Sequence, residues 1–411
     1  MSSVAVDVKG WCPGALRPMQ SGDGLIVRVR PVCGAFDLQA AAVLADLAAR
    51  LGNGHIDLTR RANLQLRGLS EGRLPELHDA LGRLGLLDPD AETEAARNVM
   101  VAPLAGLDPT ESLDVRPIAT AIERALATDR HLHALPAKFG MLVDGGGTIS
   151  IAGERADISL VATGRSVALG LDTPKGSEWL GRVGPDRAAP VAVAAAYAFL
   201  GMSSRGRMRD LSDANFDKVR AVVTPLLAPL DRAPGPGGRR LGLLHNAVGV
   251  AAPFGRLEAR QLRRLIALAA EAGAPDLRLS PWRSLYVGVR DEASAQALLD
   301  GAREVGLVVD DDDPLLRVVA CPGAPDCRSS SVDTRGDARR LTALAATHGY
   351  GGNIHVSGCA KGCARSDPSD LVLVGKTGGY WLIRNATTHG PVEGVIGPED
   401  FGTLFEGPAD A

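Results

Sequence analysis

Ile56–Leu69 reads IDLTRRANLQLRGL, and Leu277–Val289 reads LRLSPWRSLYVGV. Laid over each other, the two runs keep a separation of 221 residues: Leu58 falls on Leu279 and Leu64 on Leu285. The same separation carries Gly34 onto Gly255, and Leu44 and Leu47 onto Leu265 and Leu268. Each leucine pair has the three-residue spacing that puts side chains on one face of a helix. The run after each helix alternates apolar and polar residues, the pattern of half-buried antiparallel strands. A shift preserved across a helix and a strand predicts a duplicated βαβ-type unit. Each copy is followed by a longer stretch of mixed helical and strand pattern, so the chain reads as two related halves of α+β class.

The chain has 411 residues, which leaves room for two or three domains. Hydrophobic residues make up 45% and charged ones 23%, enough apolar material to bury large cores. Lys plus Arg is 45 against 48 for Asp plus Glu, a net charge of −3. That balance argues against a nucleic-acid binder held by bulk charge, and 4% aromatics leave little for base stacking. No apolar run is long enough to span a bilayer, and MSSVAVDVKGWCPG lacks the charged start and apolar core of a signal peptide. The expectation is a cytoplasmic protein with neither nucleic acid nor membrane as partner. Asp231–Arg240 (DRAPGPGGRR) reads as a linker, and the acid run Asp310–Asp313 before Pro314 as a solvated loop.

Six cysteines are unevenly placed: Cys12 and Cys33 near the start, then Cys321, Cys327, Cys359 and Cys363. The last four form CPGAPDC (321–327) and CAKGC (359–363), spacings C-x5-C and C-x3-C. In a reducing compartment such a group suggests metal before disulfides. Four thiolates are the usual complement of a [4Fe-4S] cluster. The small residues beside them (Pro322, Gly323, Ala324, Gly358, Ala360, Gly362) let backbone wrap closely around a bulky anionic cube. Structural zinc stays open as a second reading. Cys12 and Cys33 read as small buried residues.

CPGAPDC together with IHVSGCAKGCA (354–364) resembles the cluster motif of sirohaem-type sulfite and nitrite reductases. LTRRANLQLRGL (58–69), RNVMVAPLAGLDP (97–109) and LPAKFG (135–140) resemble three further motifs of that superfamily. The resemblance implies a pseudo-twofold duplicated nitrite/sulfite reductase fold, with two ferredoxin-like half-domains forming a saddle over two larger α/β domains. Its parts would be 1–75 and 240–303 for the half-domains, and 90–230 and 305–411 for the larger domains, the last with the iron–sulfur motif. It also implies that Cys321, Cys327, Cys359 and Cys363 hold the cluster. A narrower resemblance, GWCPGALRPMQSGDGLIVRVRP (10–31), is to precorrin-3B synthases, the aerobic cobalamin-pathway branch. Those enzymes hydroxylate C20 of precorrin-3A with dioxygen and close a γ-lactone from the ring A acetate onto C1. The partners implied are that tetrapyrrole, dioxygen and an external electron donor. The sequence offers no dinucleotide-binding fingerprint of its own.

A tetrapyrrole rich in carboxylates needs convergent cations, and arginine's planar fork suits them. Arg61, Arg97 and Lys138 fall on reductase motif positions that face the macrocycle, and so are expected to bind substrate. Strand alternation would put Arg61 and Arg67 on one face and Arg60 on the other. Trp282, the counterpart of Arg61, reads as a core residue or as an aromatic wall against the macrocycle. One departure stands out: the reductases read K-x-K where this chain has Lys138-Phe139-Gly140. Losing a cation there weakens anion reduction, which needs positive charge and proton donors around its substrate. The readings are therefore a precorrin-3B synthase with a [4Fe-4S] cluster, to which a mononuclear non-haem iron could be added; a sirohaem-dependent sulfite or nitrite reductase; and a zinc-stabilised tetrapyrrole carrier. No 2-His-1-carboxylate signature is legible for a second iron.

Overall fold

The computed structural model describes residues 11–406. These fall into two compact units, one of residues 11–19 with 26–309 and one of residues 20–25 with 310–406. In chain order the first elements are β1 (Met19–Gln20), β2 (Leu25–Val29), β3 (Ala35–Asp37), α1 (Leu38–Leu51), β4 (His55–Leu58) and β5 (Leu64–Leu69). Helices α2 (Leu74–Arg83) and α3 (Ala91–Ala96) lead into β6 (Val99–Val101), α4 (Arg116–Thr128), β7 (Met141–Asp144), β8 (Ile158–Thr163), β9 (Ser166–Thr173) and β10 (Gly176–Val183). Helices α5 (Pro185–Met202) and α6 (Asp213–Val223) complete that block. Then come β11 (Gly242–Leu243), β12 (Ala247–Ala251), β13 (Arg256–Glu258), α7 (Ala259–Glu271), β14 (Asp276–Leu279), β15 (Ser284–Gly288) and α8 (Glu292–Glu304). The smaller unit carries β16 (Val318–Ala320), α9 (Thr334–Thr347), β17 (Ile354–Ser357), β18 (Ser369–Lys376), β19 (Gly379–Ala386) and β20 (Gly394–Ile396).

The 221-residue repeat is visible in the backbone itself. Helices α1 and α7 begin 221 residues apart and pack on each other, with Leu44, Leu47, Leu265 and Leu268 all buried. Their N-caps correspond too: the Asp37 carboxylate accepts from Ala40 N, and Glu258 forms a capping box with Gln261. Left-handed backbone recurs at the same separation, at Cys33 and Phe254 (φ 48° and 53°), at Gly34 and Gly255 (both 75°), and at Ala62 and Arg283 (52° and 59°). A non-glycine residue in that region is strained, so the paired outliers mark turns that both copies need.

The connection differs from the expected βαβ unit. Each three-residue strand before a helix crosses into the other copy's sheet. β13 pairs antiparallel with β4, Leu257 opposite Ile56, and β3 pairs antiparallel with β14, Phe36 opposite Leu277. One sheet therefore contains β2-β5-β4-β13 and the other runs β11-β12-β15-β14-β3. The strands flanking each helix lie in different sheets, so the halves are interlocked by exchanged edge strands. A buried ion cluster pins the exchange: Asp57 on β4 takes Arg256 of β13 at 2.8 Å and Arg67 of β5 at 3.4 Å.

The longer stretches also match each other. One sheet has the order β10-β9-β8-β7-β6, the other β16-β17-β18-β19-β20. In both, the first three strands along the chain are parallel and the remainder antiparallel. The first is backed by the apolar faces of α4, α5 and α6, which enclose Ile122, Phe139, Leu160, Leu169, Ala195 and Phe199. In the second, Val372, Val374 and Ile383 form a core patch, and Tyr380 donates from its hydroxyl to Asp337 of α9 at 2.6 Å. Among the described residues no helix is long and apolar enough to cross a membrane.

Candidate functional site

In the smaller unit β16 and β17 are adjacent and parallel, Val318 opposite Ile354, so their carboxyl ends lie side by side. C-x5-C starts directly after β16 and C-x3-C two residues after β17. Strand topology thus brings together cysteines that sequence separates. The Gly358 N–H donates to Cys321 Sγ at 3.1 Å, one loop reaching the other's sulfur. A side chain at Gly358 would run into Ser330, so close passage there requires glycine. Burial, followed by the neighbouring thiols of Cys321, Cys359 and Cys327, pushes the Cys363 thiol up to about 11. Burial likewise raises Cys359; the Lys361 backbone N–H opposes this, while Cys327 and Cys321 add to it. Sulfurs whose thiolate forms are disfavoured in this way are what a cationic metal centre relieves.

This donor set fits a four-iron cluster. Cys321, Cys327 and Cys359 are near enough to Cys363 to disfavour its thiolate. Yet among the described residues no three of His, Cys, Asp and Glu gather closely enough to hold a single ion. Four thiols brought together at the ends of two adjacent parallel strands are the ligand complement that a cube takes. For a mononuclear iron, too, the described residues gather no group of three His, Cys, Asp or Glu.

The second assembly lies in the larger unit. Arg60 and Arg61 are in a tight turn rather than a strand. Thr59 Oγ1 accepts from Arg61 N and Asn63 N, and Ala62 N closes back on Thr59 O. Alternation therefore does not apply to them, and the predicted shared face of Arg61 and Arg67 is corrected. Arg67 is 2% exposed and belongs to the Asp57 ion cluster. The turn's counterpart, Ser280–Ser284, is closed by Ser280 in the same way and presents Trp282, half-buried, with its indole N–H on Glu154 at 2.7 Å.

Arg61 Nη2 donates to the Lys138 carbonyl at 2.8 Å, joining two of the expected site residues. Phe139 is driven inward against Phe199, ring centroids 4.7 Å apart, which leaves Lys138 exposed beside it. Gly140 is clamped from behind, its N–H donating to Asp157 at 2.8 Å, and a Cβ added to it would lie 2.8 Å from Arg61 Nη1. The Arg61 guanidinium thus stands in the space that a side chain at position 140 would enter. Asp157, wholly buried, also accepts from Arg207 Nε at 2.8 Å and Met208 N at 2.8 Å. Burial and the adjacent Arg207 pull Arg61 down to about 10, against the pull of Cys12 and Asp157, with Arg28 adding to the repulsion. The group stays protonated near neutrality, in an excess of positive charge.

Arg97 is placed otherwise than expected. It ends α3, and its fork grips Asp88, Nε at 3.0 Å and Nη2 at 3.1 Å, with Nη1 on the Pro31 carbonyl at 3.3 Å. Both partners are about 10% exposed, so this is a nearly buried, bidentate pair. All three nitrogens are engaged within the protein, which assigns Arg97 to holding the fold. Arg97→Ala is accordingly expected to strand a buried Asp88 and cost about 3 kcal/mol of stability, seen as a lower apparent melting temperature. Tetrapyrrole affinity of the folded fraction should be unchanged; a loss of affinity at unchanged stability would return Arg97 to the substrate.

Sequence reasoning took Cys12 and Cys33 for small buried residues, whereas both are half-buried, and it passed over Arg28, Asp157 and Arg207. Only the CPG tripeptide at Cys12 gave a signal. A side chain at Gly14 would strike the Glu94 carboxylate, which takes Ala15 N at 2.5 Å and Leu16 N at 3.1 Å, so this loop is locked in place.

Comparison with known proteins follows the same lines. A family model described as the nitrite/sulfite reductase ferredoxin-like half domain matches residues 17–84 and 243–305. Another, the nitrite and sulphite reductase 4Fe-4S domain, matches residues 92–177. A precorrin-3B synthase from Sinorhizobium sp is 36% identical over 401 residues, covering 94% of this chain and 85% of that protein. The chain belongs to the precorrin-3B synthase family. More distant relatives of this synthase-family chain include a ferredoxin–nitrite reductase of Synechococcus elongatus, 26% identical over 89% of this chain and 78% of that one. A ferredoxin sulfite reductase of Mycobacterium tuberculosis is 26% identical over 85% and 70%. The solved structure of the Mycobacterium tuberculosis NirA protein superposes with a TM-score of 0.75 at 22% identity, covering 92% of this chain and 79% of that one. That likeness establishes the fold of this synthase-family protein: helices and sheets with paired ferredoxin-like half-domains.

Proposed function

We propose that the protein converts precorrin-3A to precorrin-3B in cobalamin biosynthesis, as an oxygen-dependent monooxygenase. It would hydroxylate the C20 meso carbon and form the γ-lactone from the ring A acetate onto C1. The observation that carries this reading against a sulfite or nitrite reductase is Arg61 over Gly140. The guanidinium occupies the space where the reductases' second lysine would stand, so cationic charge is presented from the turn in a form suited to a carboxylate edge. Family membership supports the same choice.

Cys321, Cys327, Cys359 and Cys363 would hold a [4Fe-4S] cluster, which supplies electrons singly when bound. Arg61 and Lys138 bind carboxylates of the substrate. The bond between Arg61 and the Lys138 carbonyl fixes the guanidinium plane, so orientation is set before the substrate arrives. Asp157, held by Arg207, fixes the Gly140 backbone, and the glycine itself leaves position 140 free of side-chain bulk. Dioxygen and an external electron donor are the co-reactants, and cytoplasmic location is part of the same proposal.

Incubation with precorrin-3A, a reductant and labelled dioxygen should place one labelled oxygen atom in the product hydroxyl. Label arriving from water instead overturns the oxygenase chemistry. Strong sirohaem bands retained by the aerobically purified protein through gel filtration would turn the reading to a reductase.

A further inference from the structure

Cys12 is half-buried on the locked loop in front of β2, and the side chain it meets is Arg28 of that strand. Arg28 is 8% exposed, and among the described residues its Nε and Nη1 have no hydrogen-bond partner. A guanidinium buried to that degree with two nitrogens unsatisfied is costly unless something else completes it. Arg30, two residues on, has the same two nitrogens without a hydrogen bond, but there the charge is met by Glu94, whose Oε1 lies 3.2 Å from Nη1. Arg61 and Lys138 act on the same sulfur. Burial alone would raise the Cys12 thiol, but Arg28, Arg61 and Lys138 together outweigh it and hold the thiol below its ordinary value. Arg28 thus contacts this small, nucleophilic side chain directly, and Arg61, bonded to the Lys138 carbonyl at 2.8 Å, and Lys138 add their charge to it.

We infer that Arg28, Arg61 and Lys138 form a carboxylate-binding site that opens on the Cys12 sulfur. Arg28 is then a further substrate-binding residue, the unsatisfied nitrogens taking one acidic side chain of the tetrapyrrole. This identification of the occupant rests on the function proposed above; the site itself does not. Cys12 supplies a soft partner that keeps Arg28 aimed at the site while it is empty of substrate.

The arrangement makes a chemical prediction that needs no tetrapyrrole. Iodoacetate would dock its carboxylate on the arginines and present its methylene carbon to Cys12. The thiolate displaces iodide, one C–S bond forming as the C–I bond breaks, with no change of oxidation state elsewhere. Iodoacetamide is the same electrophile without the charge. In the intact holoprotein, peptide mass spectrometry should find Cys12 carboxymethylated at least tenfold faster by iodoacetate than by iodoacetamide. Arg28→Gln and Lys138→Met should each erase most of that preference. The Lys138 variant changes an exposed residue and keeps the test open should Arg28→Gln fail to fold. Uroporphyrin, a stable polycarboxylated porphyrin, should slow the modification. Equal rates for the two reagents, or a preference for iodoacetamide, overturn the carboxylate site. A retained preference without protection by uroporphyrin overturns the tetrapyrrole as occupant. If the preference and protection hold but labelled dioxygen gives no labelled product, the site stands and the oxygenase reading falls.

Discussion

Gly140→Lys is expected to leave the protein folded and to weaken tetrapyrrole binding by tenfold or more. A Cβ at position 140 approaches Arg61 Nη1 to 2.8 Å, and the next neighbour, the Asn98 carbonyl, lies at 3.4 Å. The crowded atom is thus the tip of a flexible side chain, so the backbone need not move. What gives way is the Arg61 hydrogen bond to the Lys138 carbonyl, and with it the direction of the guanidinium. A charge-assisted hydrogen bond contributes about 1.5–3 kcal/mol, which is roughly one to two powers of ten in affinity. The added ammonium does not replace it, because a point charge lacks the planar fork. A double-mutant cycle isolates the mechanism. In an Arg61→Ala background the substitution at 140 should have little further effect, since the displaced group is already gone. If Gly140→Lys weakens binding equally with and without Arg61, displacement of Arg61 is not the cause.

The duplication was legible because the half-domains carry no insertions between Gly34 and Leu64 or their counterparts. The larger blocks share a strand order just as fully, but their loops differ. The starts of β6 and β16 are 219 residues apart, those of β7 and β17 only 213, so no single shift aligns them. Edge-strand exchange was beyond reach for another reason. β3 and β13 are three residues long, and their partners are chosen by tertiary packing rather than by local pattern. The turn at Arg61 had a usable signal that alternation concealed. The second copy has Pro281 where the first has Arg60. Proline is rare inside a strand and common in a turn, so the counterpart demoted the strand for both copies. For Arg97 nothing local announced Asp88 as its partner. A cation on a motif position can serve a ligand or the fold, and only the geometry of its fork decides.

The matched block 92–177 contains no cysteine, although its family description names a 4Fe-4S domain. Duplicated topology accounts for this. The loops after β6 and β7 correspond to the two cysteine loops after β16 and β17, but they are closed by carboxylates. Asp108 accepts from Thr110 N at 2.8 Å and Thr148 N at 2.6 Å, while Asp144 accepts from Gly146 N at 2.8 Å and Ile151 N at 2.6 Å. One copy therefore stitches its strand ends with internal hydrogen bonds. The other carries the four thiols at its strand ends. On the proposed reading, the asymmetry would put the cluster in the second copy.

Cys321→Ser should consequently abolish the cluster while sparing the fold. Cys321 is the most enclosed of the four, 7% exposed, and its sulfur is the acceptor that joins the two loops through Gly358 N–H. A serine hydroxyl is a poor iron ligand and is shorter than the thiol, so three thiolates would remain for four irons. Iron and acid-labile sulfide should fall at least tenfold, with loss of the broad visible absorption. The unit's own core persists, because the Val372–Val374–Ile383 patch and the Tyr380–Asp337 hydrogen bond do not involve the cysteine loops. Far-ultraviolet circular dichroism should therefore change little. Cys33→Ser is the control: its sulfur lies 3.1 Å from Thr120 Oγ1 in the larger unit, and iron content should be unaffected. Retention of iron and sulfide by Cys321→Ser would remove this cysteine from the cluster. One zinc per chain, without iron or sulfide in the unaltered protein, would replace the redox centre by a structural metal.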